Sequence, residues 1–113
     1  MAFEITKLTE SLGAEISGLD LRQPFDAETL AGVRAAWLGN LVLRFRGQNL
    51  SDAELIAFSE QFGELDRVPT WDQYHSPGHP EVLVVSNVKE GGQAIGVLGD
   101  GEASWHTDMA YIE

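Results

Sequence analysis

A histidine and an aspartate two residues apart, His106 and Asp108, are the residues whose types and spacing could carry chemistry. In an extended segment, side chains two positions apart point to the same side, so the imidazole and the carboxylate can reach one point in space. One imidazole nitrogen and one carboxylate oxygen are two of the three ligands in the 2-His-1-carboxylate triad that binds non-haem Fe(II). A histidine bonded to a nearby aspartate is also a common structural arrangement. The pair therefore predicts a candidate metal site and leaves a purely structural role open.

A third ligand is not evident beside this pair. The chain has no cysteine, which excludes thiolate ligands and a disulfide framework. The other two histidines, His75 and His79, are separated by a Ser-Pro-Gly segment that breaks any helix, so the spacing does not place both rings on one helical face. We expect them to be solvated loop histidines, with substrate contact or adventitious metal binding as the alternatives.

Composition bounds the class of protein. The chain has 113 residues, 43% of them hydrophobic, which suits one small globular domain. Eighteen acidic and seven basic residues give a formal net charge of −11, which opposes attraction to nucleic acid and to anionic membranes. No apolar run is long enough for a membrane span, so we expect a cytoplasmic protein without nucleic-acid or membrane partners.

Hydrophobic periodicity predicts the elements that must position the pair. A helix is expected after Asp26 with a stop at Gly39 and Asn40, and a second helix is expected from Ser51 to Gly63. Ser51 and Glu54 have the capping-box spacing, and Gly63 suits a left-handed cap. Strands are predicted at residues 3–8, 14–17, 41–46 and 81–86, the last two mostly buried, with a long irregular connection at residues 64–80 and a turn at residues 90–93.

Four motifs in order resemble one known family. They are residues 16–21 (ISGLDL), 42–48 (VLRFRGQ), 58–65 (FSEQFGEL) and 105–108 (WHTD). The sequence from residue 4 to residue 113 resembles the N-terminal portion of the TauD/TfdA family of Fe(II)- and 2-oxoglutarate-dependent dioxygenases. The resemblance implies a mixed α+β, mainly β fold, in which a partial double-stranded β-helix, or jelly roll, carries two packed helices and lacks its C-terminal half. Residues 1–113 would then be the N-terminal part of a single dioxygenase domain.

The same resemblance implies the chemistry. His106 and Asp108 are expected to be the first two ligands of Fe(II), with 2-oxoglutarate and O2 as cosubstrates and a small organic acid as the molecule hydroxylated, releasing succinate and CO2. The family's second histidine ligand and the arginine that holds 2-oxoglutarate belong to a stretch beyond Glu113. We therefore expect the isolated chain to be inactive.

Two further residues are candidates for contact with the organic substrate. Trp71 stands at the place of a pocket tyrosine in the family, and Asn87 resembles the asparagine of a Ser-Asn-Val segment that borders the pocket in herbicide-oxidising relatives. An aromatic residue covering the edge of the core and a turn-forming asparagine are the alternatives. The aromatic residues that flank the metal motif, Trp105 and Tyr111, are expected to pack in the core, with exclusion of water from the metal site as the alternative.

A second class of function remains open from the sequence. The chain could be a non-catalytic remnant that associates with another chain, or forms a homo-oligomer, through an unpaired sheet edge. A small metal-binding module of the cupin type is a third alternative, for which two ligands are too few. Size-exclusion chromatography separates these hypotheses.

Overall fold

The computed structural model describes residues 2–67, 73–97, 99 and 101–108, and the chain divides into two compact units. Unit 1 comprises residues 1–67 and unit 2 comprises residues 68–113. Unit 1 contains β1 (Glu4–Lys7), β2 (Ala14–Ser17), α1 (Ala27–Asn40), β3 (Leu43–Arg44) and α2 (Asp52–Glu60). Unit 2 contains β4 (His75–Ser76), β5 (His79–Leu83), β6 (Lys89–Glu90) and β7 (Gln93–Ala94). The predicted mixed α+β class with two helices is confirmed.

The sheet of unit 1 has the strand order β1-β2-β3. β1 pairs antiparallel with β2, which places Ile5 opposite Ile16, and β3 pairs parallel with β2, which places Leu43 opposite Ala14. A parallel pair requires a crossover connection, and α1 supplies it between β2 and β3. In the described part of the chain, neither helix has the length and hydropathy needed to cross a bilayer.

The core of unit 1 lies between the sheet and α1. Ile16, Val33 and Ala36 form its buried centre, with exposed fractions of 3%, 1% and 7%. An aromatic cluster closes one side of this core. The ring of Phe58, on α2, meets the rings of Phe25, Phe45 and Phe62 edge to face, at centroid separations of 5.9, 5.9 and 5.3 Å. Packing through Phe58 therefore holds α2 against the core.

Both helices begin where the sequence predicts. The Asp26 side chain accepts a hydrogen bond from the Thr29 amide at 2.7 Å and caps α1. At the start of α2, the Ser51 hydroxyl accepts from the Glu54 amide at 3.2 Å, and the Glu54 carboxylate accepts from the Ser51 amide at 2.7 Å. The predicted capping box is confirmed.

The end of α1 corrects the predicted strand at residues 41–46. α1 stops at Asn40, as expected, but Leu41 then adopts a φ of 69° and a ψ of −35°. The Val42 amide donates to the Asn40 carbonyl at 2.8 Å, which closes a three-residue γ-turn around Leu41. Leu41 and Val42 are 65% and 54% exposed. The γ-turn occupies the first two predicted positions and a second turn begins at Arg46, so β3 covers only Leu43 and Arg44.

The predicted left-handed cap at Gly63 is wrong. α2 ends at Glu60, Gln61 keeps a right-handed helical conformation, and Gly63 has no positive φ. Arg34, on α1, instead donates to the carbonyl oxygens of Gln61 at 3.3 Å and Phe62 at 3.0 Å. Its guanidinium also lies 5.6 Å from the centre of the Phe62 ring. A side chain from another helix therefore satisfies the carbonyl groups after α2.

Unit 2 consists of two small hairpins. β4 pairs with β5 around a turn that contains Gly78 at a φ of 77°, and β6 pairs with β7 around Gly91 and Gly92, both at positive φ. Two positive φ values suit a two-residue hairpin turn, so the turn predicted at residues 90–93 is confirmed. The prediction of solvated loop histidines is wrong, because His75 lies in β4, His79 lies in β5, and both are half-buried.

The strand predicted as buried at residues 81–86 also differs. β5 spans His79–Leu83, its residues are half-buried except for the exposed Glu81, and Val85 beyond it is 63% exposed. The apolar residues of the predicted segment thus belong in part to a strand, but within unit 2 they are not deeply buried. The predicted jelly roll stays a prediction.

Candidate metal centre

The structure brings His106 and Asp108 together. The Nε2 atom of His106 lies 3.0 Å from the Oδ1 atom of Asp108. The segment that carries them is irregular instead of being a strand, so the pairing arises from a local bend and not from the alternation of a sheet. The His106 and Asp108 side chains are 58% and 86% exposed. Both groups are therefore open to an ion from solvent.

The backbone carbonyl of Ser104 orients the imidazole. The Nδ1 atom of His106 lies 2.6 Å from this oxygen, so Nδ1–H donates to it and Nε2 faces Asp108. The Ser104 carbonyl and, after it, the Asp108 carboxylate raise the pKa of His106 above its ordinary value. A hydrogen bond from the second ring nitrogen is the usual support for a metal-ligating histidine.

The two side chains form a direct contact. The 3.0 Å between Nε2 and Oδ1 is the distance of an ion pair between a protonated imidazole and a carboxylate. Adjacent ligands bound about 2.1 Å from one octahedral ion also lie about 3.0 Å apart, so an ion that replaces the shared proton needs no large separation of the two groups. Among the described residues, no group of three metal-ligating side chains is present, so this part of the chain offers the ion two protein ligands.

Comparison with known proteins assigns the family. Residues 4–113 match the family described as taurine catabolism dioxygenase TauD, TfdA family. The chain belongs to this family. The resemblance that the four motifs predicted is confirmed.

Among curated TauD/TfdA relatives, an (S)-phenoxypropionate/alpha-ketoglutarate-dioxygenase of Delftia acidovorans is 32% identical over 96% of this chain and 37% of its own length. An alpha-ketoglutarate-dependent sulfate ester dioxygenase of Pseudomonas putida is 31% identical over 100% of this chain and 34% of its own length. The chain thus spans about a third of the length of the curated relatives it matches.

Similar solved structures are also longer than this chain. A provisionally assigned alpha-ketoglutarate-dependent taurine dioxygenase from Burkholderia xenovorans is 43% identical and has a TM-score of 0.69, over 78% of this chain and 31% of its own. A structure of AAD-2 in complex with Mn(II) and N-oxalylglycine is 32% identical with a TM-score of 0.56, over 58% of this chain and 24% of its own. Both likenesses support the mixed α+β fold.

The predicted substrate residues have different outcomes. Trp71 lies outside the described residues, as does Tyr111. Asn87 is exposed in the connection between β5 and β6, where the Val88 amide donates to the Ser86 hydroxyl at 3.0 Å. Residues 84–88 form neither a turn nor a bend, so the alternative of a turn-forming asparagine is not borne out. A role of Asn87 in substrate binding stays a prediction.

The prediction of a core position for Trp105 is wrong, since its side chain is fully exposed in the described structure. Sequence reasoning also missed Ser104, because a backbone carbonyl that orients an imidazole leaves no trace in residue type. The one signal was its place two residues before His106.

Proposed function

We propose that this chain is the metal-ligating N-terminal part of an Fe(II)- and 2-oxoglutarate-dependent dioxygenase that hydroxylates a small organic acid. The observation that carries the proposal is the 3.0 Å separation between His106 Nε2 and Asp108 Oδ1, in a chain of the TauD/TfdA family. Relatives named as alpha-ketoglutarate-dependent dioxygenases support the cosubstrate. A neighbour named as a complex with Mn(II) supports a divalent metal.

The residues have distinct roles in this proposal. His106 binds the ion through Nε2, and the Ser104 carbonyl holds the ring so that Nε2 faces Asp108. Asp108 binds through Oδ1 and offsets part of the metal charge. Because the raised pKa of His106 favours its protonated form, the ion must displace the Nε2 proton in order to bind.

When bound, Fe(II) supplies the redox chemistry that couples 2-oxoglutarate decarboxylation to substrate hydroxylation. The balanced reaction joins one 2-oxoglutarate, one O2 and one substrate C–H bond to give succinate, CO2 and the hydroxylated product. Relatives named for phenoxypropionate and for sulfate esters favour a small organic acid as the substrate. Asn87 and Trp71 are the proposed substrate contacts.

We also propose that the activity belongs to a longer polypeptide, in which residues 1–113 begin a single jelly-roll dioxygenase domain. The coverage of about a third of each curated relative supports this. So does the exposed apolar surface of unit 1, where Leu38, Leu41 and Val42 are 80%, 65% and 54% exposed. Several large apolar side chains left exposed within a short stretch are typical of surfaces that pack against further protein.

The same exposed surface also supports a second candidate function. In this alternative, the protein is a non-catalytic chain that associates with another chain or with its own copy. Its apolar side chains would then pack across an intermolecular interface. Size-exclusion chromatography with light scattering separates the two, since a stable metal-free oligomer supports association alone.

The test of the metal centre is Co(II) binding to the 113-residue chain, followed by NMR and by titration. We expect Co(II) to shift the His106 signals, and His106→Ala or Asp108→Asn to weaken binding by about tenfold or more, since even groups that only support a ligand contribute about 10–100-fold to metal affinity. His79→Gln and Asp66→Asn are matched controls that remove an imidazole and a carboxylate elsewhere.

Equal Co(II) affinity of the wild-type chain and of His106→Ala would contradict the proposed site. Succinate production by the isolated chain, with Fe(II), 2-oxoglutarate and O2, would contradict the proposal that activity requires the longer polypeptide. The two results are independent, because the first concerns the ligands and the second concerns the rest of the domain.

A further inference from the structure

An open cavity in unit 1 is lined by apolar side chains. Its volume is about 340 Å³, and it is bounded both by Val33, which is 1% exposed, and by Trp37, which is 47% exposed. The cavity therefore reaches from the buried core to the surface. Among the described residues, seven line it, four of these are aromatic and none is charged, although 22% of the chain is charged. Aromatic residues without charged ones are typical of the centre of a protein interface.

Contacts within unit 1 hold the wall of the cavity in place. The ring of Trp37 meets the ring of Phe62 edge to face, at a centroid separation of 6.0 Å. Phe58 meets both Phe45 and Phe62 in the same way. Arg34 holds the backbone at Phe62 through its hydrogen bond to the carbonyl oxygen at 3.0 Å. Because these rings are already fixed, a partner that binds there orders few further side chains, which keeps the entropic cost of binding low.

The cavity suits an apolar side chain better than a small molecule. A space of about 340 Å³ would hold about ten water molecules at about 30 Å³ each, and removing apolar surface from that water is favourable. A small-molecule site needs polar groups that orient the ligand. Apart from the indole nitrogen of Trp37, the one polar side-chain group in the described lining is the Ser59 hydroxyl, which already donates to the Leu55 carbonyl at 2.8 Å. A side chain needs no such group, because its own backbone orients it.

Charge decides between two sources of that side chain. Each chain carries a formal net charge of −11, so two copies would repel each other. A further part of the same polypeptide is tethered instead, and a tether gives it a high effective concentration at the cavity. The curated relatives leave room for such a part, because this chain spans about a third of their length. The same polypeptide is therefore the favoured source.

We propose that the cavity receives apolar side chains from a further part of the same polypeptide, and that unit 1 joins the rest of the dioxygenase domain through this surface. The inference rests on the proposed function, which places the activity in a longer polypeptide. It adds which surface of unit 1 is covered there and by what chemistry, namely uncharged aliphatic or aromatic side chains. The exposed part of Trp37 then becomes buried at the centre of the contact.

The experiment uses a single thiol as a reporter. The chain has no cysteine, so Ser59→Cys places one thiol in the lining of the cavity. In the 113-residue chain, Ser17→Cys is the matched control at an exposed strand residue. Alkylation by iodoacetamide is followed by peptide mass spectrometry, in the 113-residue chain and in the natural longer polypeptide. Each rate is divided by the rate of the same thiol after denaturation, which removes its intrinsic reactivity.

In the 113-residue chain, we expect the thiol at position 59 to react within about tenfold of the thiol at position 17, because the open cavity admits the reagent. In the longer polypeptide, alkylation at position 59 should slow by about 100-fold or more, since a covered thiol reacts only through local opening. The wild-type polypeptides provide a measurement without any substitution. Oxidation of Trp37 in hydroxyl-radical footprinting should be about fivefold or more lower in the longer polypeptide, as burial at an interface centre implies.

Equal alkylation at position 59 in both polypeptides would overturn the inference and leave the proposed metal centre standing. Protection of this thiol within the 113-residue chain would overturn it too. Protection that grows with concentration identifies a second copy as the occupant, whereas protection independent of concentration identifies a segment of this chain or a bound small molecule. A reading frame that ends at Glu113 would overturn both this inference and the longer polypeptide, while Co(II) binding at His106 tests the metal centre separately.

Discussion

Unit 1 and unit 2 hold their functional surfaces by different means. Unit 1 contains the five buried apolar side chains of the described structure, three of which pack the sheet against α1. These residues are Ala14, Ile16, Leu21, Val33 and Ala36. In unit 2, the buried position is Gly96, which contributes no side chain at all, and the candidate metal ligands are exposed. Packing holds the first unit, whereas short hairpins hold the second.

The difference shows where chemistry can be placed in a small fold. In unit 2 the candidate ligands lie on an irregular segment outside the hairpins, and such segments commonly carry binding residues. Elements that open or bind ligands are commonly drawn from the less stable parts of a protein.

The largest expected effect tests the packing of unit 1. Ile16→Ala removes a side chain that is 3% exposed from the centre of the core. Deletion of buried methyl and methylene groups leaves a cavity, so we expect the free energy of unfolding to fall by about 3 kcal/mol. Chemical denaturation followed by circular dichroism measures this change.

Two control variants test whether the loss of stability depends on burial in unit 1. Ile5 lies directly opposite Ile16 in the sheet but is 46% exposed, so Ile5→Ala should cost less than about 1 kcal/mol. Val85→Ala, at a position of unit 2 that is 63% exposed, should change stability by less than about 0.5 kcal/mol. A loss of stability in Val85→Ala equal to that in Ile16→Ala would contradict the expected difference between the two units.

A smaller effect of opposite sign is expected at the γ-turn. Leu41 holds a φ of 69°, which costs a residue with a Cβ about 1–2 kcal/mol, whereas glycine adopts it freely. After the greater chain entropy of glycine is subtracted, Leu41→Gly should raise the free energy of unfolding by about 0.5–1 kcal/mol. Leu38→Gly, inside α1 and 80% exposed, should instead lower it by about 1 kcal/mol. Urea denaturation of both variants measures these changes in the free energy of unfolding. The result shows whether the Leu41 backbone is strained in the folded chain.

The smallest effect is an acid dependence confined to unit 1. Hydrogen bonds from Arg22 lower the pKa of Asp20 to about 2, and bonds from Arg44 and from the Thr29 amide lower the pKa values of Glu15 and Asp26. A lowered pKa in the folded state gives stability that is present above the ordinary carboxyl pKa and is lost as the pH falls through the folded value. We therefore expect a loss of stability between about pH 4 and pH 2.

Acid titration followed by circular dichroism measures this loss. Asp20→Asn should make the transition shallower, while the exposed Asp66→Asn removes a charge without disturbing the Arg22 pair. An identical acid transition in the wild type and in Asp20→Asn would show that the pair makes no contribution to folding.

Local signals predicted the helix starts but not the second helix end. Asp26 and Ser51 act within three residues of their partners, so their caps are visible in the sequence. Gly63 has the right type for a helix cap, yet the chain needs no left-handed residue there, because Arg34 already satisfies the carbonyl groups. That contact joins residues far apart in the sequence, and residue patterns do not report it.

The candidate site shows the same division. The i, i+2 spacing predicted that His106 and Asp108 can reach one point, and their side chains do lie 3.0 Å apart, but a local bend and not the alternation of a strand brings them together. The contact of His106 with the Ser104 carbonyl was not predicted, since it depends on a backbone atom that every residue shares. The half-buried positions of His75 and His79 were missed because the Pro-Gly segment between them forms a hairpin turn instead of a loop.

The contact of Arg34 with the residues after α2 makes two distant parts of the sequence depend on each other. Its acceptors lie 27 and 28 positions further along the chain, so the backbone that follows α2 is held by a residue of α1. An isolated peptide of the α2 sequence would keep its capped start but would lack this contact beyond its far end. A substitution at Arg34 is therefore expected to loosen the chain just beyond α2, although the two positions are remote in the sequence.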